Sequence, residues 1–302
     1  MNLSNITAQM AHKPDVQGFF DPNTNTISYV VADPQTRACA IIDSVMDYEP
    51  NSATLSFESA QTIIDYITEH NYHVEWILET HAHADHLSAA PYLQEKLGGN
   101  IAIGKNITIV QEVFGKVFNE GTEFQRDGSQ FDRLWDEGDT FSIGSLPCTI
   151  INTPGHTPAD ITYLIGDSAF VGDTLFMPDY GTARCDFPGG NAETMYASVQ
   201  KLFSLPDSMR MVLCHDYLPE GRTEYVWETT IGEQKKQNIH IKEGTDPARF
   251  VDTRQAKDKT LGMPRLIIPS IQVNIHAGTL PTAADNGTTY LKVPVNSAFS
   301  KK

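Results

Sequence analysis

Glu79-Thr80-His81-Ala82-His83-Ala84-Asp85-His86-Leu87-Ser88 is the stretch whose reading decides the fold of this chain. It follows the apolar run Val74-Glu75-Trp76-Ile77-Leu78, which has strand character, and precedes Ala89 to Leu97, which has helical spacing. Four metal-competent side chains therefore crowd onto a loop at the C-terminal end of a strand. His81, His83, Asp85 and His86 offer three imidazoles and a carboxylate, a donor set that suits zinc, iron or manganese and contains no soft thiolate. A single loop histidine is ordinarily just solvated. Four donors behind a buried strand are not explained by folding.

Upstream of this loop, Val16 to Phe20, Thr26 to Val31 and Ala38 to Ile42 are short β-rich runs. They are broken by Asp21-Pro22-Asn23 and Ala32-Asp33-Pro34-Gln35, turn chemistry that predicts an antiparallel meander ending in Asp43. A helix is expected from about Phe57 to His70, with Ile63, Ile64 and Ile67 on its apolar face. Downstream, Gly98-Gly99 stops the helix that follows the loop, Ile101 to Ile103 resumes as strand, and Ile107 to Phe118 is helical. Further β-rich runs lead into Thr153-Pro154-Gly155-His156-Thr157-Pro158 and Gly172-Asp173-Thr174. A helix over Ala192 to Phe203 then precedes the strand Met209 to Cys214, which ends in His215-Asp216.

Ligands on such loops converge only if the strand ends share one edge of packed sheets. The candidate set is Asp43, His81, His83, Asp85, His86, His156, Asp173 and His215, with Asp43 read as an acceptor that orients a ligand imidazole. Beyond Tyr225 the pattern changes. Glu228 to Gln237 and Pro247 to Asp258 read as helices, while Leu266 to Asn274 and Thr289 to Pro294 read as extended edges or an arm because of their prolines. The expected division is a catalytic domain over 1–245 and a C-terminal extension over 246–302. That extension is expected to pack on the same domain or on a partner subunit, with a homodimer as the expected assembly.

A chain of 302 residues, 40% hydrophobic and 20% charged, buries a substantial core without cross-links. Its formal charge of -16 excludes a phosphate-backbone partner such as a nucleic acid. Cys39, Cys148, Cys185 and Cys214 form no C-x-x-C pair, so free thiols in a reducing cytoplasm are expected. No leader-like or membrane-length apolar run is present.

The H-x-H-x-D-H loop, the Gly155-His156-Thr157 histidine, the Gly172-Asp173 aspartate and the late His215 together resemble the metallo-β-lactamase-fold superfamily. The resemblance implies an α/β fold, an αββα sandwich of two packed mixed sheets flanked by helices, with the metal at one sheet edge. Asp173 stands where the common exported zinc β-lactamases carry cysteine, which disfavours that activity. The closer resemblance is to the branch of glyoxalase II and the persulfide dioxygenases, including the bacterial β-lactamase-hydrolase-like forms. It is carried by Met177 to Gly190, by Met263-Pro264-Arg265-Leu266 and by Gln272-Val273-Asn274. One departure is that animal-type dioxygenases have Gly-Cys-Gly-Arg where this chain has Gly181-Thr182-Ala183-Arg184 followed by Cys185.

As a dioxygenase, the resemblance implies one Fe(II) per chain held by His81, His156 and Asp173, with positions left open for O2 and a sulfur substrate. His83, Asp85, His86 and His215 would then support the site or lie unused. The implied reaction oxidises glutathione persulfide to sulfite and glutathione. As a thioester hydrolase, the same residues would bind two zinc, iron or manganese ions. His81, His83 and His156 would hold one, Asp85, His86 and His215 the other, bridged by Asp173 and a hydroxide. Arg184 is the candidate for a substrate carboxylate, and Tyr180 and Tyr217 are candidates to cover the substrate. A metal-holding redox module without turnover is the third expectation.

Overall fold

The structure, a computed structural model, describes residues 3–296. In chain order the elements are α1 (Leu3–Gln9), β1 (Asp15–Asp21), β2 (Thr26–Ala32), β3 (Ala38–Ile42), β4 (Val45–Glu49), β5 (Thr54–Ser56), α2 (Glu58–Glu69), β6 (His73–Leu78), β7 (Leu87–Ser88), α3 (Ala90–Leu97), β8 (Asn100–Gly104) and α4 (Ile107–Val117). There follow β9 (Arg133–Trp135), β10 (Thr140–Ile143), β11 (Leu146–Asn152), β12 (Ile161–Ile165), β13 (Ser168–Phe170), α5 (Ala192–Phe203), β14 (Arg210–Val212), β15 (Glu228–Thr230), α6 (Ile231–Gln237), α7 (Pro247–Asp258) and α8 (Ile267–Asn274). Two six-stranded sheets, ordered β1-β2-β3-β6-β8-β9 and β10-β11-β12-β13-β14-β15, form the body, with β5-β4-β7 beside them.

Along the central strands residues alternate between two apolar environments, as strands buried on both faces require. Ile27, Tyr29 and Val31 of β2 point inward and meet Ile150, Tyr163 and Phe170 of the second sheet. Val30 and Ile41 on the outer face of the first sheet pack with Ile63, Leu93, Phe114 and Ile271 of α2, α3, α4 and α8. Ile151, Leu164 and Met211 on the outer face of the second sheet pack with Met195, Val199, Ile231 and Phe250 of α5, α6 and α7. The architecture is therefore helix, sheet, sheet, helix, as the resemblance to the metallo-β-lactamase-fold superfamily implies. The β1-β2-β3 meander is antiparallel throughout.

Three strand-level expectations are corrected. Leu266 to Asn274 is not extended: Ile267–Asn274 is a helix, and its Pro269 falls in the first turn, where the missing N–H has no intrahelical partner anyway. Thr289 to Pro294 forms no strand. Glu228 to Thr230 pairs with β14, and the helix begins only after Thr230, which closes a capping box with Glu233. The polar N-terminal leader contains α1, whose Gln9 donates to the Leu164 carbonyl at 3.0 Å. No helix among the described residues is long and apolar enough to cross a membrane.

Candidate metal centre

The topology brings the chemistry together. β3 and β6 run parallel, as do β13 and β14, and β11 is antiparallel to β12, which is antiparallel to β13. The C-terminal ends of β3 and β6 thus share one edge, and those of β11, β13 and β14 share another. The edges meet where Ile27 N–H donates to the Cys214 carbonyl at 2.7 Å and Thr26 bridges His215. Asp43, the 79–88 loop, His156, Asp173 and His215 all leave from these ends.

Two glycines let the ligand loops approach so closely. Gly172, at φ +51, precedes Asp173, and a Cβ there would lie 2.6 Å from Thr80 Oγ1. Gly155, at φ +155, precedes His156, and its Cβ would lie 2.5 Å from the Met195 Cα.

The hydrogen bonds fix the tautomers of the site. His156 Nδ1 donates to the Arg184 carbonyl at 2.8 Å, and His215 Nδ1 donates to the Asn25 carbonyl at 3.0 Å, so each ring presents a bare Nε2. The Thr80 hydroxyl donates to Asp43 Oδ2 at 2.8 Å and is left only its lone pairs for His81 Nδ1, 3.0 Å away. His81 therefore also presents a bare Nε2. The three Nε2 atoms surround Asp173. Those of His156 and His81 lie 3.4 and 4.0 Å from Oδ2, and that of His215 lies 3.4 Å from Oδ1. Cys214, whose thiol burial keeps protonated with the Asp173 charge beside it, donates to Oδ1 at 2.8 Å.

Asp43 sits at φ +52 and is buried. Besides Thr80 it accepts from His83 Nε2 at 3.0 Å, while Glu79 Oε2 lies 3.3 Å from the same nitrogen. Burial alone would lower the His83 pKa, but these carboxylates hold it well above the usual value. Nδ1 must then release a proton before it binds a cation. His81 differs: burial, with His83 and His156 nearby, pushes its pKa well down and keeps it neutral. Asp85 stays ionised despite burial, since His86 and His215 bring its pKa well down. Its Oδ2 lies 3.2 Å from His86 Nδ1 and 3.5 Å from His215 Nε2.

The nitrogens His81 Nε2, His83 Nδ1 and His86 Nε2 are buried without a hydrogen-bond partner. Unpartnered buried imidazole nitrogens are costly unless a cation takes them, in the case of His83 Nδ1 in place of its proton. The donor atoms of His81, His156 and Asp173 lie within 4.8 Å of one another, as do those of His83, Asp85 and His86. The residues present therefore fit a bound transition metal.

A cleft of about 410 Å³ opens beside Asp173, walled by Phe176, Tyr180, Phe187 and Tyr217 and rimmed by Lys257 and Arg265. Tyr180 and Tyr217 stack at 4.8 Å, and Tyr217 stacks in turn on His215 at 5.5 Å. Arg184 also lines the cleft, but its guanidinium makes two bonds to Asp186 (2.6 and 2.9 Å) and a third to the Gly262 carbonyl. Sequence reasoning did not single out Glu79, Thr80, Cys214, Lys257 or Asn274 as site residues. Glu79 and Thr80 carried a signal as neighbours of His81 in the decisive loop, and Asn274 only as part of the Gln272-Val273-Asn274 stretch that carries the resemblance.

The metallo-beta-lactamase superfamily model matches residues 23–215, from the turn before β2 to the last site histidine. The chain belongs to this superfamily. Among its members, a probable metallo-hydrolase of Burkholderia pseudomallei is 52% identical over 292 residues, 93% of this chain and 99% of that one. The human mitochondrial persulfide dioxygenase ETHE1 is 30% identical over 201 residues, 66% of each chain. The crystal structure of ETHE1 from Myxococcus xanthus superposes with a TM-score of 0.70 at 27% identity, covering 88% of this chain and all of that one. The unpartnered nitrogens of this chain converge at the shared sheet edge.

Proposed function

We propose that this protein is an Fe(II)-dependent persulfide dioxygenase acting in the cytoplasm. One glutathione persulfide, one O2 and one water yield sulfite and glutathione. The observation that carries the reading is the placing of Asp173 Oδ2, which faces His156 and His81, while Oδ1 accepts from Cys214 with His215 Nε2 3.4 Å away. A single cation on His81, His156 and Oδ2 would keep open positions, while the Cys214 thiol already donates to the oxygen that a second cation would share with His215. The likeness to ETHE1 proteins supports the same reading. When bound, iron supplies the one-electron O2 chemistry that side chains lack.

The chain's own residues bind, orient and exclude water. Arg265 has no hydrogen bond or ion pair to the described residues and takes a carboxylate of the glutathione moiety, with Lys257, whose ammonium is in hydrogen-bond contact with His240 Nε2 at 3.2 Å and stands 5.4 Å from the Tyr180 ring, as the second cation of the rim. Arg184 instead holds the 184–187 segment through Asp186, and its carbonyl fixes His156. Tyr180, Tyr217 and Phe187 wall the sulfur end off from water. In this reading the catalytic domain spans 1–245, the C-terminal extension over 246–302 contributes Lys257 and Arg265 to the cleft, and a dimer is the assembly.

A second reading, a dinuclear hydrolase of glutathione thioesters, is favoured by the cluster of His83, Asp85 and His86 with two unpartnered buried nitrogens. Paired substitutions separate the two. Asp173→Ala removes iron and activity under either. His86→Ala keeps iron and O2 uptake in the dioxygenase, but strips one of two metals and thioester cleavage in the hydrolase. Loss of iron in His86→Ala would overturn the proposed ligand set.

A further inference from the structure

We propose that Asn274, at the end of α8, is a positioning residue that sets the backbone of the metal loop from the far C-terminal part of the chain. Its carboxamide has one acceptor oxygen and two donor hydrogens, and all are spent on this loop. Oδ1 accepts from the Ser88 amide at 2.8 Å, and Nδ2 donates to the carbonyls of His83 and His86, each at 2.8 Å. The side chain is 4% exposed, so water does not compete for these bonds.

The loop needs such a clamp. Residues 79–86 lie in no strand or helix, and the His83 and His86 carbonyls accept no backbone hydrogen bond among the described residues. Asp43 and Glu79 hold the ring of His83, but nothing on those residues fixes the peptide units that aim His83, Asp85 and His86. His81 depends on the same arrangement, since its ring lies 4.1 Å from that of His83, which lies 4.2 Å from that of His86. The segment that follows this helix is pressed against the end of the loop: a Cβ on Gly278 would come within 2.8 Å of the Ser88 carbonyl oxygen and 2.6 Å of Pro91.

Two residues earlier, Gln272 provides an internal control. Its carboxamide is just as engaged, but with the Lys292 backbone (2.8 and 2.7 Å) and the Ile268 carbonyl, away from the metal loop. Both residues tie down the C-terminal segment, and only Asn274 touches the ligand loop.

The test is titration of the metal-free full chain with Co(II) alone, following affinity and the visible ligand-field spectrum, with melting followed separately. Asn274→Ala and Gln272→Ala should both melt earlier. Asn274→Ala should bind Co(II) roughly 10- to 100-fold more weakly with an altered spectrum, the usual cost of losing a partner that orients metal ligands. Gln272→Ala should match the parent in both. Wild-type affinity and spectrum in Asn274→Ala, or an equal loss in Gln272→Ala, overturns the proposal. If Asn274→Ala does not fold, the isosteric Asn274→Asp keeps the acceptor for Ser88 and loses both donors. The same weakening is expected of it, and unchanged binding refutes the role. No substrate enters the experiment, so its failure leaves the dioxygenase reading standing, and failure of that reading leaves Asn274 in place.

Discussion

The Cys214 thiol donates to Asp173 Oδ1 at 2.8 Å, directly behind the carboxylate oxygen that faces His156 and His81. The bond pins the carboxylate from the side away from the cation it is read to hold. Cys214→Ala frees that oxygen, and iron affinity should fall roughly tenfold, within the range for lost orienting partners. Cys214→Ser retains a donor and should restore most of it. Metal competition against a chelator measures both, and unchanged affinity in Cys214→Ala would remove the thiol from the account.

Gly172 allows Thr80 and Asp173 to pack against one another. Gly172→Ala must place a Cβ 2.6 Å from Thr80 Oγ1 at φ +51. Steric strain of about 1–3 kcal/mol is expected in urea unfolding, together with loss of metal, because Thr80 sets the tautomer of His81. A metal-loaded Gly172→Ala of parental stability would contradict the packing described.

Asp33 joins the two sheets from the β2–β3 turn. Burial opposes its charge, but hydrogen bonds from Gln35, Ser145 and Thr36 bring its pKa down to about 2 from an ordinary 3.8. The folded pKa is the lower one, so its stabilisation is complete above the unfolded value and is lost as pH falls from about 4 through about 2. Asp33→Asn should therefore be less stable at pH 7 by about 2 kcal/mol. Its stability should also vary less steeply between pH 4 and 2, as read by denaturant unfolding across that range. Parallel curves for the two proteins would refute the assignment.

The rim cations divide the work on substrate. Arg265→Ala should raise KM for glutathione persulfide roughly tenfold and leave kcat nearly unchanged, as loss of uniform binding does. Arg184→Ala breaks the pair with Asp186 and loosens the segment whose carbonyl holds His156, so kcat and iron content should fall together. Steady-state oxygen consumption with metal analysis separates these outcomes.

What was legible in the sequence follows from locality. The 79–88 loop could be read because its donors lie within six residues and its flanks have opposite periodicities. His156 and Asp173 could be read because each follows a β-rich run, in the Gly155-His156-Thr157 and Gly172-Asp173 motifs that resemble those of the superfamily. Cys214 gave no signal, since its partner Asp173 lies 41 residues away and a thiol before a histidine looks like any buried cysteine. Asn274 was hidden by a wrong expectation for its element. Ile267-Ile268-Pro269 looks like an edge strand, and only its packing against β7 makes it a helix aimed at His83 and His86. Long-range hydrogen bonds of this kind leave no periodicity along the chain.

Anaerobic purification with metal analysis, followed by O2 uptake on adding glutathione persulfide, tests the central claim most directly. The account predicts one iron per chain and one O2 consumed per persulfide, with sulfite formed. Two metals per chain, thioester cleavage and no O2 uptake would contradict it.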